Sequence, residues 1–307
     1  MKIYLEIDYQ SRGIGRCVDA LKRYKPGNIT IVDREQDADM VLIHVNGRRD
    51  QVLRRTRRIL ERGQKYAIFQ YAFRSTRNPT YYEWGEIWDN AAVVFSYLDL
   101  VGNEAIPAGL YPDFIYVSLP LGVDTEVFYR YGMDDRPWNN RKYLICTTGL
   151  GYTTESVREC IHAARAVGGK VAHLGCDLGI EDVDSYWDLS DAEVCLLFND
   201  CKYVSGLRRT EGFELPILEG FFCGAQPITF DTLAYRRWFD GIALFIEEGD
   251  RNSVILQLIK LFNLRKRLLF EDENFFTKKR RERERRAIAA DFSWEKFADT
   301  IFNNLHV

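Results

Sequence analysis

The sequence predicts an α/β protein built from two parallel-sheet domains, each covered by helices on both faces. Three observations predict it. Short apolar runs rich in Val, Ile, Leu and aromatics alternate with amphipathic stretches, the pattern of a parallel sheet between helical layers. The alternation occurs in two series, separated at 129–141 by a stretch holding Gly132, Asp134, Asp135 and Pro137, which reads as a linker. The length of 307 residues suits two domains of roughly 150 residues each. With 46% hydrophobic and 14% aromatic residues, the chain can fill two cores.

The first series has strand-like runs at 2–7, 29–32, 40–45, 66–70, 92–96 and 115–119. After the first run comes Tyr9-Gln10-Ser11-Arg12-Gly13-Ile14-Gly15-Arg16, then a helix expected over 17–24. Glycines there let a backbone approach a ligand, and the helix N-terminus favours a negative group. A dinucleotide fingerprint would need a third glycine, which is missing, and a tight turn with a solvated arginine stays open. His44 ends the third run and reads as a satisfied strand-end histidine unless it faces a cleft. Residues 48–62 follow as a helix, with Asp50 expected as N-cap, Gly63 as C-cap and apolar positions at 52, 53, 59 and 60. Its seven arginines, from Arg48 to Arg62, outnumber its two acids. The face reads as solvated, or as a partner surface for an anionic membrane, a nucleic acid or another polyanion. Phe69, Tyr71, Phe73, Tyr81, Tyr82, Trp84 and Trp88 lie near it in sequence and could stack sugars or unpaired bases.

The second series runs 143–147, 170–174, 225–229 and 242–246. Its first turn, Thr147-Thr148-Gly149-Leu150-Gly151-Tyr152-Thr153-Thr154-Glu155, has no basic residue before Arg158. Glycines, hydroxyls and amides there could bind phosphate as a neutral nest. Further on stands Arg208-Arg209-Thr210-Glu211-Gly212-Phe213-Glu214-Leu215-Pro216-Ile217-Leu218-Glu219-Gly220, then Phe221-Phe222-Cys223-Gly224-Ala225-Gln226-Pro227-Ile228. A Gly-Phe turn leads into a short apolar helix, and a Gly-Ala step leads into a strand. Glu219 falls about two helical turns beyond Glu211. Carboxylates placed this way can accept paired hydrogen bonds from a diol.

This string resembles the donor-binding signature of retaining, nucleotide-sugar-dependent glycosyltransferases of family 4 (glycosyl transferases group 1). About 18 consecutive positions match. The resemblance implies a GT-B fold: two Rossmann-like domains facing across a cleft. It divides the chain into an N-terminal acceptor domain over 1–128, a C-terminal donor domain over 142–288, and a final helix over 289–307 packing back on the first domain. Leu119-Pro120-Leu121-Gly122-Val123-Asp124 and Phe292-Ser293-Trp294 resemble further family passages. The resemblance implies that Glu211 lies beside the donor sugar, that Glu219 binds the ribose hydroxyls, and that Gly13, Ile14, Gly15 and Arg16 lie over the donor phosphates. Gly149, Gly175, Gly212, Phe213, Glu214 and Leu215 complete the expected donor site. Glu214 stands where the family has Gly. The family's Arg and Lys after the first strand of the second domain are also missing, so Arg208 and Arg209 are the expected cations, with Arg12 and Arg16 as alternatives.

The implied activity is transfer of a sugar from a nucleotide donor, such as a UDP- or GDP-sugar, to an acceptor hydroxyl with retention, without metal or other cofactor. The acceptor stays open among a small molecule, a glycan, a lipid-linked sugar and a nucleic acid. A nucleotide-sugar binding protein with little turnover is the alternative, as is a transferase acting on modified nucleic acid. Asp37-Ala38-Asp39, Asp134-Asp135 and 182–184 read as loop acids rather than metal ligands. The net charge of −3 predicts no global attraction to polyanions. Seven scattered cysteines suit a reducing compartment. With no secretion signal and no apolar span near the ~18 residues a membrane helix needs, the expected location is cytoplasmic. The basic run at 278–286 alternates with glutamates and reads as an exposed helix.

Overall fold

The computed structural model describes residues 1–7, 12–46, 49–72, 81–98, 114–131, 140–151, 153–209, 213–268 and 287–305. Two compact units emerge: Met1–Gly122 with Asp291–Val307, and Val123–Ala290. The basic run at 278–286 lies outside the described residues, as do Gly132, Asp134, Asp135 and Pro137. No helix among the described residues is long and apolar enough to cross a membrane.

The first unit holds β1 (Lys2–Ile7), α1 (Arg12–Arg23), β2 (Thr30–Ile31), β3 (Met40–Asn46), α2 (Arg49–Glu61), β4 (Lys65–Ala72), α3 (Tyr81–Asp89), β5 (Val94–Ser96) and β6 (Tyr116–Ser118). Its sheet runs β2-β1-β3-β4-β5-β6, and every pairing is parallel. β3 and β4 carry Val41, Leu42, Ile43, Tyr66, Ala67, Ile68 and Phe69, all buried. Such continuous apolar runs mark strands covered on both faces.

Helix α2 packs through Val52, Thr56 and Ile59, whose i, i+4, i+7 spacing places them on one face. Leu60, expected in that stripe, is 40% exposed because it lies a further 100° or so around the helix. Asp50 falls inside the first turn, not before it, and pairs with Arg49. Gly63 does take the left-handed conformation, φ +69, that ends a helix. Most of the arginine charge is neutralised within the unit. Arg55 bridges Glu6 and Glu35, Arg62 also meets Glu35, and Arg57 meets Glu86. Arg54 and Arg58 remain exposed. The aromatic group is likewise structural: Phe69, Tyr71, Trp84 and Trp88 are buried, with Trp88 6.4 Å from Trp84 and 5.6 Å from Phe114. They form core, not a stacking platform. Phe73 and the side chains of Tyr81 and Tyr82 lie outside the described residues.

The second unit holds β7 (Tyr143–Gly149), α4 (Val157–Ala166), β8 (Val171–Gly175), β9 (Val183–Tyr186), α5 (Asp191–Asn199), β10 (Cys201–Gly206), α6 (Leu215–Phe222), β11 (Gln226–Phe230), α7 (Leu233–Phe239), β12 (Leu244–Ile246) and α8 (Arg251–Leu268). Its parallel sheet runs β12-β11-β10-β7-β8-β9. Two of these strands have no counterpart in the sequence reading. β10 is central, but Lys202, Ser205 and Gly206 interrupt its apolar pattern. β9 is an edge strand, and Asp184, read as a loop acid, sits within it and pairs with Lys142. Tyr129 and Tyr131, read as linker, are fixed in this unit: the Asn199 side-chain amide donates to the Tyr129 carbonyl at 2.9 Å and accepts from the Tyr131 amide at 3.0 Å.

The chain closes with α9 (Trp294–Asn304) in the first unit. Ser293 caps it by accepting from the Lys296 amide. Phe297 of α9 lies 5.6 Å from Phe69. Two glycines bring α6 close onto β10: a Cβ at Gly206 would stand 2.5 Å from Ile217, and one at Gly220 would stand 2.7 Å from Val204. Replacing Gly220 by Ala forces that helix outward and is expected to cost about 1–3 kcal/mol of stability. A lowered urea midpoint with an unchanged m-value checks this.

Candidate functional site

Numbered from β7 as first strand, the second sheet has the order 3-2-1-4-5-6. The chain leaves β7 and β10 toward opposite sides, so their carboxyl ends flank a crevice of the kind where α/β sheets bind ligands. Four features meet there. β7 ends at Gly149, β8 ends at Gly175, Arg208 follows β10, and Glu214 precedes the first residue of α6.

Arg208 is clasped by two acids. Its Nη1 donates to Glu155 Oε1 at 2.6 Å and its Nε to Glu214 Oε2 at 2.8 Å. The two carboxylates are only 6% and 4% exposed and the arginine 16%. That shielding sets the cluster apart from a surface ion pair, which contributes little. Glu155 Oε1 also accepts from the Leu150 amide at 3.2 Å. The carboxylate approaches the strand end so closely that a Cβ at Gly149, where φ is +125, would run into it. At Gly175 a Cβ would collide with the Gly149 carbonyl. Gly149 thus leaves room for the Glu155 carboxylate and Gly175 for close approach of the Gly149 backbone, whether or not a ligand is bound.

Several sequence expectations change here. Thr147 and Thr148 are not loop hydroxyls, because β7 continues to Gly149. Thr147 is fully buried and lies 2.9 Å from His173 Nδ1. Burial lowers the His173 pKa, with the Glu155 charge opposing. Arg209 reaches Glu248 at 3.2 Å and lies 5.0 Å over the Phe230 ring. Phe213 is buried against Phe239 and Trp238, ring centroids 5.0 and 6.2 Å away. Leu215 opens α6. Glu219 lies on α6, 4% exposed. Glu211 and Gly212 lie outside the described residues. Glu155 was the residue sequence reasoning missed, and its signal was an acid in a turn that holds no basic residue before Arg158.

In the first unit, β1 and β3 flank the corresponding switch point, with Ile7 in register with His44. Helix α1 starts at Arg12, earlier than the expected 17. Gly13, Ile14, Gly15 and Arg16 therefore form its opening turns. Ile14, Cys17, Val18 and Leu21 are all buried, and this helical stripe outweighs the turn tendency of the two glycines. A Cβ at Gly15 would meet nothing within 4 Å. The side chain of Arg12 lies outside the described residues.

His44 is fully buried beside the stacked pair Phe69 and Tyr71, with Nδ1 2.8 Å from the Tyr71 hydroxyl. Burial pushes its pKa down to about 3, so the ring is neutral. Among the described residues no group of three or more His, Cys, Asp or Glu side chains converges as a metal site.

Two parallel six-stranded α/β units in one chain are the GT-B fold. HepE from Anabaena in complex with UDP superposes at a TM-score of 0.73 with 9% identity, covering 99% of each chain. HepE with UDP and glucose superposes at 0.72 with 10% identity, covering 99% of this chain and 98% of that one. Sucrose-phosphate synthase from Thermosynechococcus elongatus superposes at 0.67 with 15% identity, with 99% and 98% covered. At such identities the likeness is one of fold. No protein-family model matches the chain, and no curated protein sequence matches it.

The His44 environment has a pH consequence. The unfolded histidine takes up a proton near pH 6.5 while the folded one stays neutral down to about pH 3. Its contribution to stability is therefore intact above pH 6.5 and is lost as pH falls toward 3, by up to about 1.4 kcal/mol per pH unit. His44→Gln is expected to flatten that part of the Tm-against-pH curve; equal slopes for the two proteins would refute the assignment.

Proposed function

We propose that the protein is a retaining glycosyltransferase that moves a sugar from a nucleotide-sugar donor, such as a UDP- or GDP-sugar, to an acceptor hydroxyl. The observation that carries this reading is the arginine at the β7/β10 crevice, set beside the helix that bears Glu219. HepE, a structure of the same fold, holds UDP and glucose.

The chemistry assigns roles. Breaking the anomeric bond builds negative charge on the departing phosphate and positive charge on the sugar ring. The Arg208 guanidinium suits the phosphate, since its fork matches phosphate geometry. The Leu150 and Gly151 amides lie at the same strand end and can add neutral donors. Glu211 is assigned to the sugar, Glu219 to the ribose hydroxyls, and the anionic leaving group is met by arginine rather than by a metal ion. A second reading, nucleotide-sugar binding with little turnover, is favoured by one observation: Arg208 already carries two carboxylates.

Assays across UDP-, GDP- and ADP-sugars with acceptors of several classes test the proposal, and the anomeric configuration of the product, read by NMR, tests retention. Binding without turnover for every donor would favour the second reading. Arg208→Ala is expected to lower kcat/KM about 10²–10³-fold, the range for losing one donor to developing charge. Glu219→Gln is expected to weaken donor binding about 10- to 100-fold, as befits losing charge-assisted hydrogen bonds to a diol, with a smaller effect on kcat.

A further inference from the structure

We propose that Glu155 stands in for the donor's phosphate. In the free protein its carboxylate occupies the anion position of the β7/β10 crevice, and it must leave that position when the donor binds. The proposal deepens the glycosyltransferase reading and rests on the crevice being the donor-phosphate site.

The partners of Glu155 are the first argument. A single oxygen, Oε1, accepts from the Arg208 guanidinium and from the Leu150 amide. An arginine fork and a backbone N–H at a glycine-rich strand end are the donors a phosphate oxygen uses. Gly149 leaves the space that the carboxylate fills, since a Cβ there would meet it.

Charge is the second argument. Two shielded carboxylates flank one guanidinium. A diphosphate brought to Arg208 with both acids in place would add negative charge to a cluster already in excess. Such like-charge contacts are poorly screened away from water. One acid therefore has to yield.

Backbone geometry selects which. Glu214 precedes α6 directly, and the neighbouring Phe213 is fixed between aromatic rings. Glu155 ends a single 3-10 turn, Thr153–Glu155. Ser156, directly after that turn, is left-handed at φ +47. Ser156 carries a Cβ, for which that conformation costs roughly 1–2 kcal/mol. The backbone tie between this turn and the exit of β10 is the Arg209 amide, which donates to the Thr154 carbonyl at 3.0 Å. The crevice is thus closed to weakly bound anions and opens to a ligand whose phosphates bind more strongly than the carboxylate.

Calorimetric titration with UDP as probe tests this on the full chain. Glu155→Gln keeps the side chain's size and an acceptor for the Leu150 amide but removes the charge. It is expected to tighten UDP binding about tenfold. Unchanged or weaker binding would overturn the proposal and make Glu155 a support for Arg208. Should that variant not fold, Glu155→Asp, whose carboxylate is one methylene shorter, is expected to tighten UDP binding too, and failure to do so counts equally against it. A crystal structure with UDP is expected to show Glu155 turned away and phosphate oxygens on Arg208; Glu155 still on Arg208 overturns the idea. Arg208→Ala separates the two levels: if it leaves UDP affinity unchanged, the donor-site reading itself fails, whatever Glu155 does.

Discussion

In a parallel sheet every strand delivers its chain to the same edge, and the direction taken on leaving is set by right-handed crossovers. At β7 and β10 those directions diverge, so two chain segments part at the middle of the second sheet. Everything specific to the candidate site follows from that parting. Glu155 comes from the segment after β7, Arg208 from the segment after β10, and Glu214 from the turn that enters α6. Residues more than fifty positions apart become hydrogen-bonded neighbours because two adjacent strands end together.

Electrostatics then decides what the crevice can hold. A part-buried guanidinium between two buried carboxylates is satisfied internally, and removing one member of such a cluster usually costs more than the intact cluster contributes. A ligand that uses Arg208 has to replace hydrogen bonds already present, rather than simply adding new ones. An anion brought to Arg208 would therefore compete with a protein carboxylate for the same guanidinium. Glu214 before α6 and Glu155 in the turn after β7, where no basic residue occurs before Arg158, belong to one electrostatic arrangement.

The first unit shows how far a chemically suggestive residue can be structural. His44 sits at the switch point of its sheet, yet it stacks on Phe69 and Tyr71 and is kept neutral by burial. The tryptophans of α3 and the arginines of α2 are likewise mostly committed to packing and to ion pairs within the unit. Free charge on α2 is far smaller than its composition implies.

What the sequence determined by itself was local and periodic. Largely apolar runs marked β3, β4 and β7 because strands buried on both faces disfavour polar side chains. The stretch from Phe213 to Ile228 read correctly as turn, helix, glycine step and strand, since each piece has its own composition. The tertiary structure alone decided the rest. β10 was hidden because its burial comes from neighbours on both sides rather than from its own residues. The start of α1 depended on a stripe packing against its sheet, which overrode two glycines. The state of Arg208 could not be read from its position, because ion pairing depends on which distant carboxylates the fold brings within 3 Å, and no local pattern encodes that distance.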